Sequence, residues 1–298
     1  AYMDLVCAVL DQCCVETFYK MTNDTATSEG GSTALSSGMI SKKSGGSSRR
    51  RQLDEVSLNG EEVLTLEELR PLCRQAVLTA NAFATLAIEN KLSDRSMGLI
   101  RVAETWAARE DILDAATRAE LKAYIDVTLA FYFFRRKMTS ASLSHSTKAH
   151  DYFLKTGRDD YVAMCLIMLS CCKYQVSNFK AAHKVLYQVL GMVDNGKLAF
   201  EEARPKELCM VAVAYHNLAV VQLRLQVPDA AAKSSQNARK IARLCLSHSN
   251  RWINIFHWTH QVAVEDVKQQ LQNNYNLTEE QFKSMTQLTD IMYDPNPS

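Results

Sequence analysis

The sequence is short of the residues that make tight turns, with ten glycines and five prolines in 298 positions. Sandwiches, barrels and Rossmann-like sheets of this size use such residues at every chain reversal, so their scarcity points to helices. An excess of charge is lacking too. Thirty-four basic side chains meet thirty-three acidic ones, and the pI is about 7.7. That balance excludes a whole-chain attraction to nucleic acid or anionic lipid and leaves room only for a local patch. No run of about eighteen uncharged apolar residues occurs, so no membrane span is predicted. The nine cysteines are Cys7, Cys13, Cys14, Cys73, Cys165, Cys171, Cys172, Cys209 and Cys245. None forms the paired C-x-x-C arrangement of a structural zinc site. Gly30-Gly31 and Gly45-Gly46 follow no strand pattern, which leaves a nucleotide-binding phosphate loop without support.

What is present is an ordinary globular composition, 47% hydrophobic and 22% charged. The length is near the limit of one compact core, so two domains or an elongated repeat array is expected. Cysteines embedded among apolar residues, as in Cys165-Leu-Ile-Met-Leu-Ser-Cys171-Cys172, read as reduced thiols in the cytosol. The sequons at Asn23 and Asn276 are then chance matches. The opening AYMDLVCAVLDQCC carries Asp4 and Asp11 and no basic flank, unlike a secretory signal; it reads as a chain beginning mid-protein. Residues 2–20 predict one helix, with Leu5, Val6, Val9, Leu10 and Val15 at helical spacing. Residues 21–56 form a Ser/Gly-rich linker too poor in apolar surface to fold by itself. Its basic cluster, Lys42, Lys43, Arg49, Arg50 and Arg51, is read either as solvated or as docking on a polyanion, an import receptor or an acidic surface such as a tubulin lattice.

Residues 61–250 predict a row of amphipathic helices broken at Ser93-Asp94, Asp114, Thr156-Gly157, Asp194 and Pro228-Asp229. Aligned on themselves they repeat. Leu-small pairs stand at Leu86-Ala87, Leu129-Ala130, Leu169-Ser170 and Leu218-Ala219. Leu99, Ser142, Ala182 and Ala231 follow each small member, and Trp106, Ala149, Val189 and Ala238 come later in the same helices. Successive small residues are 43, 40 and 49 positions apart. Residues 251–272 and 277–292 predict two further helices that cap the row within a carboxy-terminal segment, 251–298.

This pattern resembles the tetratricopeptide (TPR) repeat, a helix-turn-helix unit with Leu-small in its first helix and two small residues in its second. Three units fit well, on Leu129, Ala130, Ser142 and Ala149; on Leu169, Ser170, Phe179, Ala182 and Leu190; and on Tyr215, Leu218, Ala219, Ala231 and Ala238. The first departs, with Leu99 and Trp106 where small residues are usual. The resemblance implies an all-α fold, a right-handed α-solenoid of TPR-like hairpins closed by a capping pair. The long period is similar to that of motor-cargo adaptors, polarity scaffolds and ciliary or flagellar proteins. HNLAVVQLRLQVPDAAAKSSQNARKIARLCL with the following SNRW is similar to TPR proteins of protist axonemes.

Catalytic signatures are thin. His257 and His260 stand i, i+3 without a third metal ligand, and the other histidines, His145, His150, His183, His216 and His248, are spread over different units without a nucleophile elbow. No enzyme activity, cofactor, metal or small-molecule substrate is predicted; a metal-binding or enzymatic helical protein is the remote alternative. The resemblance implies a concave groove lined by the first helix of each unit: Tyr124, Val127, Phe131, Phe134 and Arg135; Met164, Ile167, Met168 and Tyr174; then Val213, His216, Asn217, Val220 and Arg224. This aromatic and thioether lining suits an apolar helix or extended peptide better than a charged tail. Core packing is the competing role for some of these side chains. The basic clamp by which some family members grip a terminal carboxylate is not reproduced, because Phe131, Cys171 and Val220 occupy its places. The expected function is a non-catalytic scaffold in the cytoplasm or cytoskeleton, with an axonemal microtubule complex as the expected assembly. A vesicle or motor-cargo adaptor is the alternative.

Overall fold

The computed structural model describes residues 66–293 apart from 202, 248 and 276. The helix expected over 2–20 and the linker with its basic cluster from Lys42 to Arg51 lie outside the described residues. Two compact units divide the chain, Asp4–Leu72 and one that contains Cys73–Ser298. Of the first, only 66–72 are described, as the opening turns of a helix.

Ten helices and no strand occur among the described residues, so this part of the chain is all-α. They are α1 Leu66–Glu89, α2 Ser93–Ala107, α3 Ala115–Arg135, α4 Thr139–Thr156, α5 Asp159–Gln175, α6 Phe179–Asp194, α7 Pro205–Arg224, α8 Pro228–Cys245, α9 Arg251–Tyr275 and α10 Glu279–Tyr293. Their ends follow local chemistry. Asp114 caps α3 by accepting from the Thr117 amide at 2.8 Å, and Asn178 caps α6 from the Ala181 amide. Pro205 and Pro228 open α7 and α8, where a missing N–H is harmless. Gly157 ends α4 in the left-handed conformation.

Four turns are built alike. Between α1 and α2, α3 and α4, α5 and α6, and α7 and α8 the chain reverses through three residues, the middle one left-handed: Lys91, Lys137, Ser177 and Gln226 at φ 58–62°. In each, that residue's amide and the next one donate back to the ends of the preceding helix, as Lys137 to the Phe134 carbonyl and Met138 to that of Phe133. Such a Schellman arrangement satisfies carbonyls that would otherwise be orphaned. None of the four positions is glycine, although the left-handed conformation disfavours other L-residues by roughly 1–2 kcal/mol.

Five residues beyond each left-handed position a small residue is wholly buried: Ser96, Ser142, Ala182 and Ala231. Ser142 shows why size matters there. Its hydroxyl donates to the Ala130 carbonyl of the facing helix at 2.8 Å, a distance that a longer side chain would prevent. This corrects the first unit. Sequence spacing assigned Leu99 and Trp106, but the structure puts Ser96 and Ala103, both 0% exposed, at those places and leaves Trp106 39% exposed. Ser96, Ile100, Ala103 and Ala107 repeat the buried spacing of Ser142, Ser146, Ala149 and Phe153. The partner in α1 is then Ala84, and the step to Ala130 is 46 residues. The unit is regular and had been misaligned, because α1 buries Ala80, Ala84 and Ala87 together and offers more than one small partner.

From α2 onward each helix packs on the next, and α3, α5, α7 and α9 also touch in series. The stretch between α6 and α7 is tied down by buried Leu198 and by the Ala199 amide donating to Glu207. At the carboxy-terminal end Val264 and Val267 of α9 and Tyr293 of α10 pack on Ala231 and Ala232 of α8. Leu288, Ile291 and Met292 of α10 remain more than half exposed.

Candidate functional site on the odd-numbered helices

Polar bridges join the odd-numbered helices side by side. Asn81 of α1 donates to the Tyr124 carbonyl of α3 at 3.2 Å, and Arg74 pairs with Glu120 at 2.9 Å. From α5 to α3, Arg158 donates to the Tyr124 hydroxyl at 3.1 Å and Gln175 to the Phe134 carbonyl at 3.4 Å. From α7, Arg224 donates to the Tyr174 hydroxyl at 3.0 Å and Lys206 pairs with Asp160 at 2.7 Å, both on α5. His216 of α7 packs its ring on Phe256 of α9 at 4.7 Å. Residues about one repeat apart in sequence thus meet in one row.

On this row the predicted groove residues fall into two groups. Val127, Phe131, Phe134, Met164, Ile167, Met168, Tyr174, Val213, Asn217 and Val220 are half-buried, and Arg135 and Arg224 are exposed. Tyr124 and His216 are buried and line no open surface. The Tyr124 ring instead meets Phe153 at 5.4 Å and Tyr161 at 4.9 Å, and burial pushes its hydroxyl up to about 12. Lys206 stands over the Tyr161 ring at 4.6 Å. Burial is the largest influence on Asp160 and raises its pKa, but its bonds to Lys206 and Arg158 outweigh that and hold it below the ordinary carboxylate range. These groups form a structural knot between units. The lining also has polar seams, Arg224 on Tyr174 and Asn217 on the Cys171 sulfur at 3.5 Å.

At the end of the row nearest the α1–α2 and α3–α4 turns lies a cavity of about 310 Å³, lined by Ile88, Lys91, Ser93, Ser96, Tyr132, Phe134, Arg135, Arg136, Lys137 and Gln175. Phe134 and Arg135 were expected at the site; Lys91, Arg136, Lys137 and Gln175 were missed. The signal for two of them was the Arg135-Arg136-Lys137 run that closes α3, and for Lys91 only its place in a repeated turn.

The chain matches no family model, no curated protein and no solved structure.

The functional reading therefore rests on the chemistry of the chain itself. No three His, Cys, Asp or Glu side chains among the described residues are placed to hold a metal ion. His257 is exposed, whereas His260 is buried between the Ser235 hydroxyl, 2.9 Å from Nδ1, and the Tyr293 carbonyl, 2.6 Å from Nε2. A carbonyl only accepts, so Nε2 carries a proton, and the ring serves to fasten α10 to α8. His145 and Asp126 pair at 2.6 Å between α4 and α3 beside a stacked Phe133. Burial, and after it Asp126, push the Cys165 thiol up to about 12, and burial pushes Cys171 up to about 11, so both hold their protons at neutral pH and are weak nucleophiles. No described helix is long and apolar enough to cross a membrane.

Proposed function

We propose that the chain is a scaffold of TPR-like hairpins wound as a right-handed α-solenoid, without a catalytic step, which holds a segment of another protein along the odd-numbered helices. The observation that carries this reading is the half-buried stripe of aromatic, thioether and aliphatic side chains, Phe131, Phe134, Met164, Met168 and Val220, on helices that four equivalent turns and four buried small residues set in a common frame. Flexible thioethers and rigid rings on one face suit an apolar helix or extended peptide. The assembly we infer is a ciliary or flagellar microtubule complex, on the resemblance of the last repeat to axonemal TPR proteins. Proximity labelling of the tagged protein in its source cell tests both parts, comparing the wild type with a Phe131→Ala, Phe134→Ala double variant. The reading expects axonemal proteins to be enriched and the enrichment to fall in the variant. Enrichment of vesicle coats or motors would replace the ciliary assignment with the adaptor, and a partner set untouched by the variant would remove the groove.

A further inference from the structure

We propose that the cavity between the α1–α2 turn, the α3–α4 turn and the end of α5 binds an acidic stretch of polypeptide. The inference rests on the reading that the odd-numbered helices receive a partner segment, and it adds the chemistry of one end of that segment. Lys91, Arg135, Arg136 and Lys137 all line the cavity, and no Asp or Glu does. Asp94, next to Ser93 in the first turn of α2, is not among the lining residues. Four like charges around one hollow repel one another, and an incoming carboxylate relieves that repulsion at short range, within a Debye length of roughly 8 Å at physiological salt.

The placement of the lysines is specific. Both turns that border the cavity put lysine at the left-handed position, Lys91 at φ 62° and Lys137 at φ 59°. The equivalent positions in the other two turns are Ser177 and Gln226, so the backbone does not demand lysine there. Arg136 is steadied over the Tyr132 ring, 5.7 Å from its centroid, and reaches the Tyr132 hydroxyl at 3.4 Å. The carboxy-terminal carbonyls of α1, α3 and α5 beside the hollow accept from the amides of their own turns, and Ser93, in the first turn of α2, lines it where Leu92 gives that helix no side-chain cap, so the positive sign of the hollow comes from the four side chains. Phe134 belongs both to the cavity and to the apolar stripe. A ligand with carboxylates in the hollow and apolar side chains on Phe131 and Phe134 would satisfy both surfaces, which favours a polypeptide over a small free anion.

The test is fluorescence anisotropy with the full chain and a short fluorescein-labelled peptide of alternating Glu and Leu, beside the same peptide with Gln for Glu. The acidic peptide is expected to bind at least about tenfold more tightly, and the advantage should shrink as salt rises. Lys91→Gln with Lys137→Gln should remove most of the advantage; glutamine already occupies the equivalent left-handed position at 226, so the turns persist, and an unchanged circular dichroism melt checks this. Equal binding of both peptides, weakened by Phe131→Ala with Phe134→Ala, would overturn the acidic inference and leave the groove standing. Binding of neither peptide, with or without binding of sodium pyrophosphate, would overturn the inference as well. Pyrophosphate binding alone would assign the hollow to a small anion.

Discussion

Replacing Phe153 by alanine should both destabilise the protein and divide its unfolding. Phe153 lies on α4, is 0% exposed, and stacks on Tyr161 of α5 at 4.6 Å while tilting against Tyr124 of α3 at 5.4 Å. Truncating a buried phenylalanine costs about 3–5 kcal/mol through lost transfer energy and the cavity left behind. Each aromatic pair contributes about 0.5–1.5 kcal/mol beyond area, which places the loss here in the upper part of that range, about 4–5 kcal/mol. That is a large share of the roughly 5–15 kcal/mol by which a folded domain exceeds its unfolded state. Because Arg158 and Lys206 bring α5 and α7 to the same rings, the site couples one hairpin to the next two. In the repeat array proposed above, stability would be a sum of units and interfaces, and weakening one interface would let the two sides unfold separately. Urea unfolding followed by far-ultraviolet circular dichroism reports all helices, whereas tryptophan emission is weighted to Trp252 and Trp258 on α9. The wild-type curves should coincide and those of the variant should separate. A loss below about 1 kcal/mol, or curves that move together, would refute the reasoning about this junction.

Other expectations follow from equally local features. Ala103→Leu should lose about 1–3 kcal/mol by overpacking, and Trp106→Ala less than about 1 kcal/mol; thermal melts that rank them the other way would restore the alignment read from sequence. His216 is buried with its Nδ1 lacking a hydrogen-bond partner, and burial lowers its pKa to about 4 from 6.5. Its folded state resists protonation, so stability should be full above pH 6.5 and fall by up to about 3 kcal/mol as pH drops towards 4. His216→Phe should flatten that slope in urea titrations, and an unchanged slope would contradict the assignment. The thiols of Cys209 on α7 and Cys245 on α8 lie 3.4 Å apart. Oxidised glutathione should accept two electrons and two protons from them and leave a disulfide, seen as loss of both alkylation sites in mass spectrometry; a pair that stays alkylatable would count against the contact.

Legibility in the sequence followed the strength of the local signal. Pro228, Gly157 and Asp114 mark helix ends by known backbone chemistry, and the boundaries read from them were close. The small residues Ser142, Ala182 and Ala231 were found because spacing alone exposes them. The first unit was misread because α1 is rich in alanine, and only the left-handed turn at Lys91, invisible in composition, fixes which alanine is paired. Tyr124 and His216 were assigned to the groove from helical position, which cannot tell a partner's ring from the chain's own: Phe153 and Tyr161 cover the first and Phe256 the second. The cavity was missed because its lining comes from four helices and two turns, a juxtaposition that no single stretch encodes.

The most direct test of the central claim, that partners lie along the odd-numbered helices, is site-specific photo-cross-linking in the source cell. A photoreactive side chain is placed at Phe131 or Met168 on that row, and, as controls, at exposed Lys148 on α4 or Tyr187 on α6. The account predicts a partner adduct of the same mass from Phe131 and Met168 and none from the controls. Adducts from Lys148 and Tyr187, with Phe131 and Met168 silent, would contradict it.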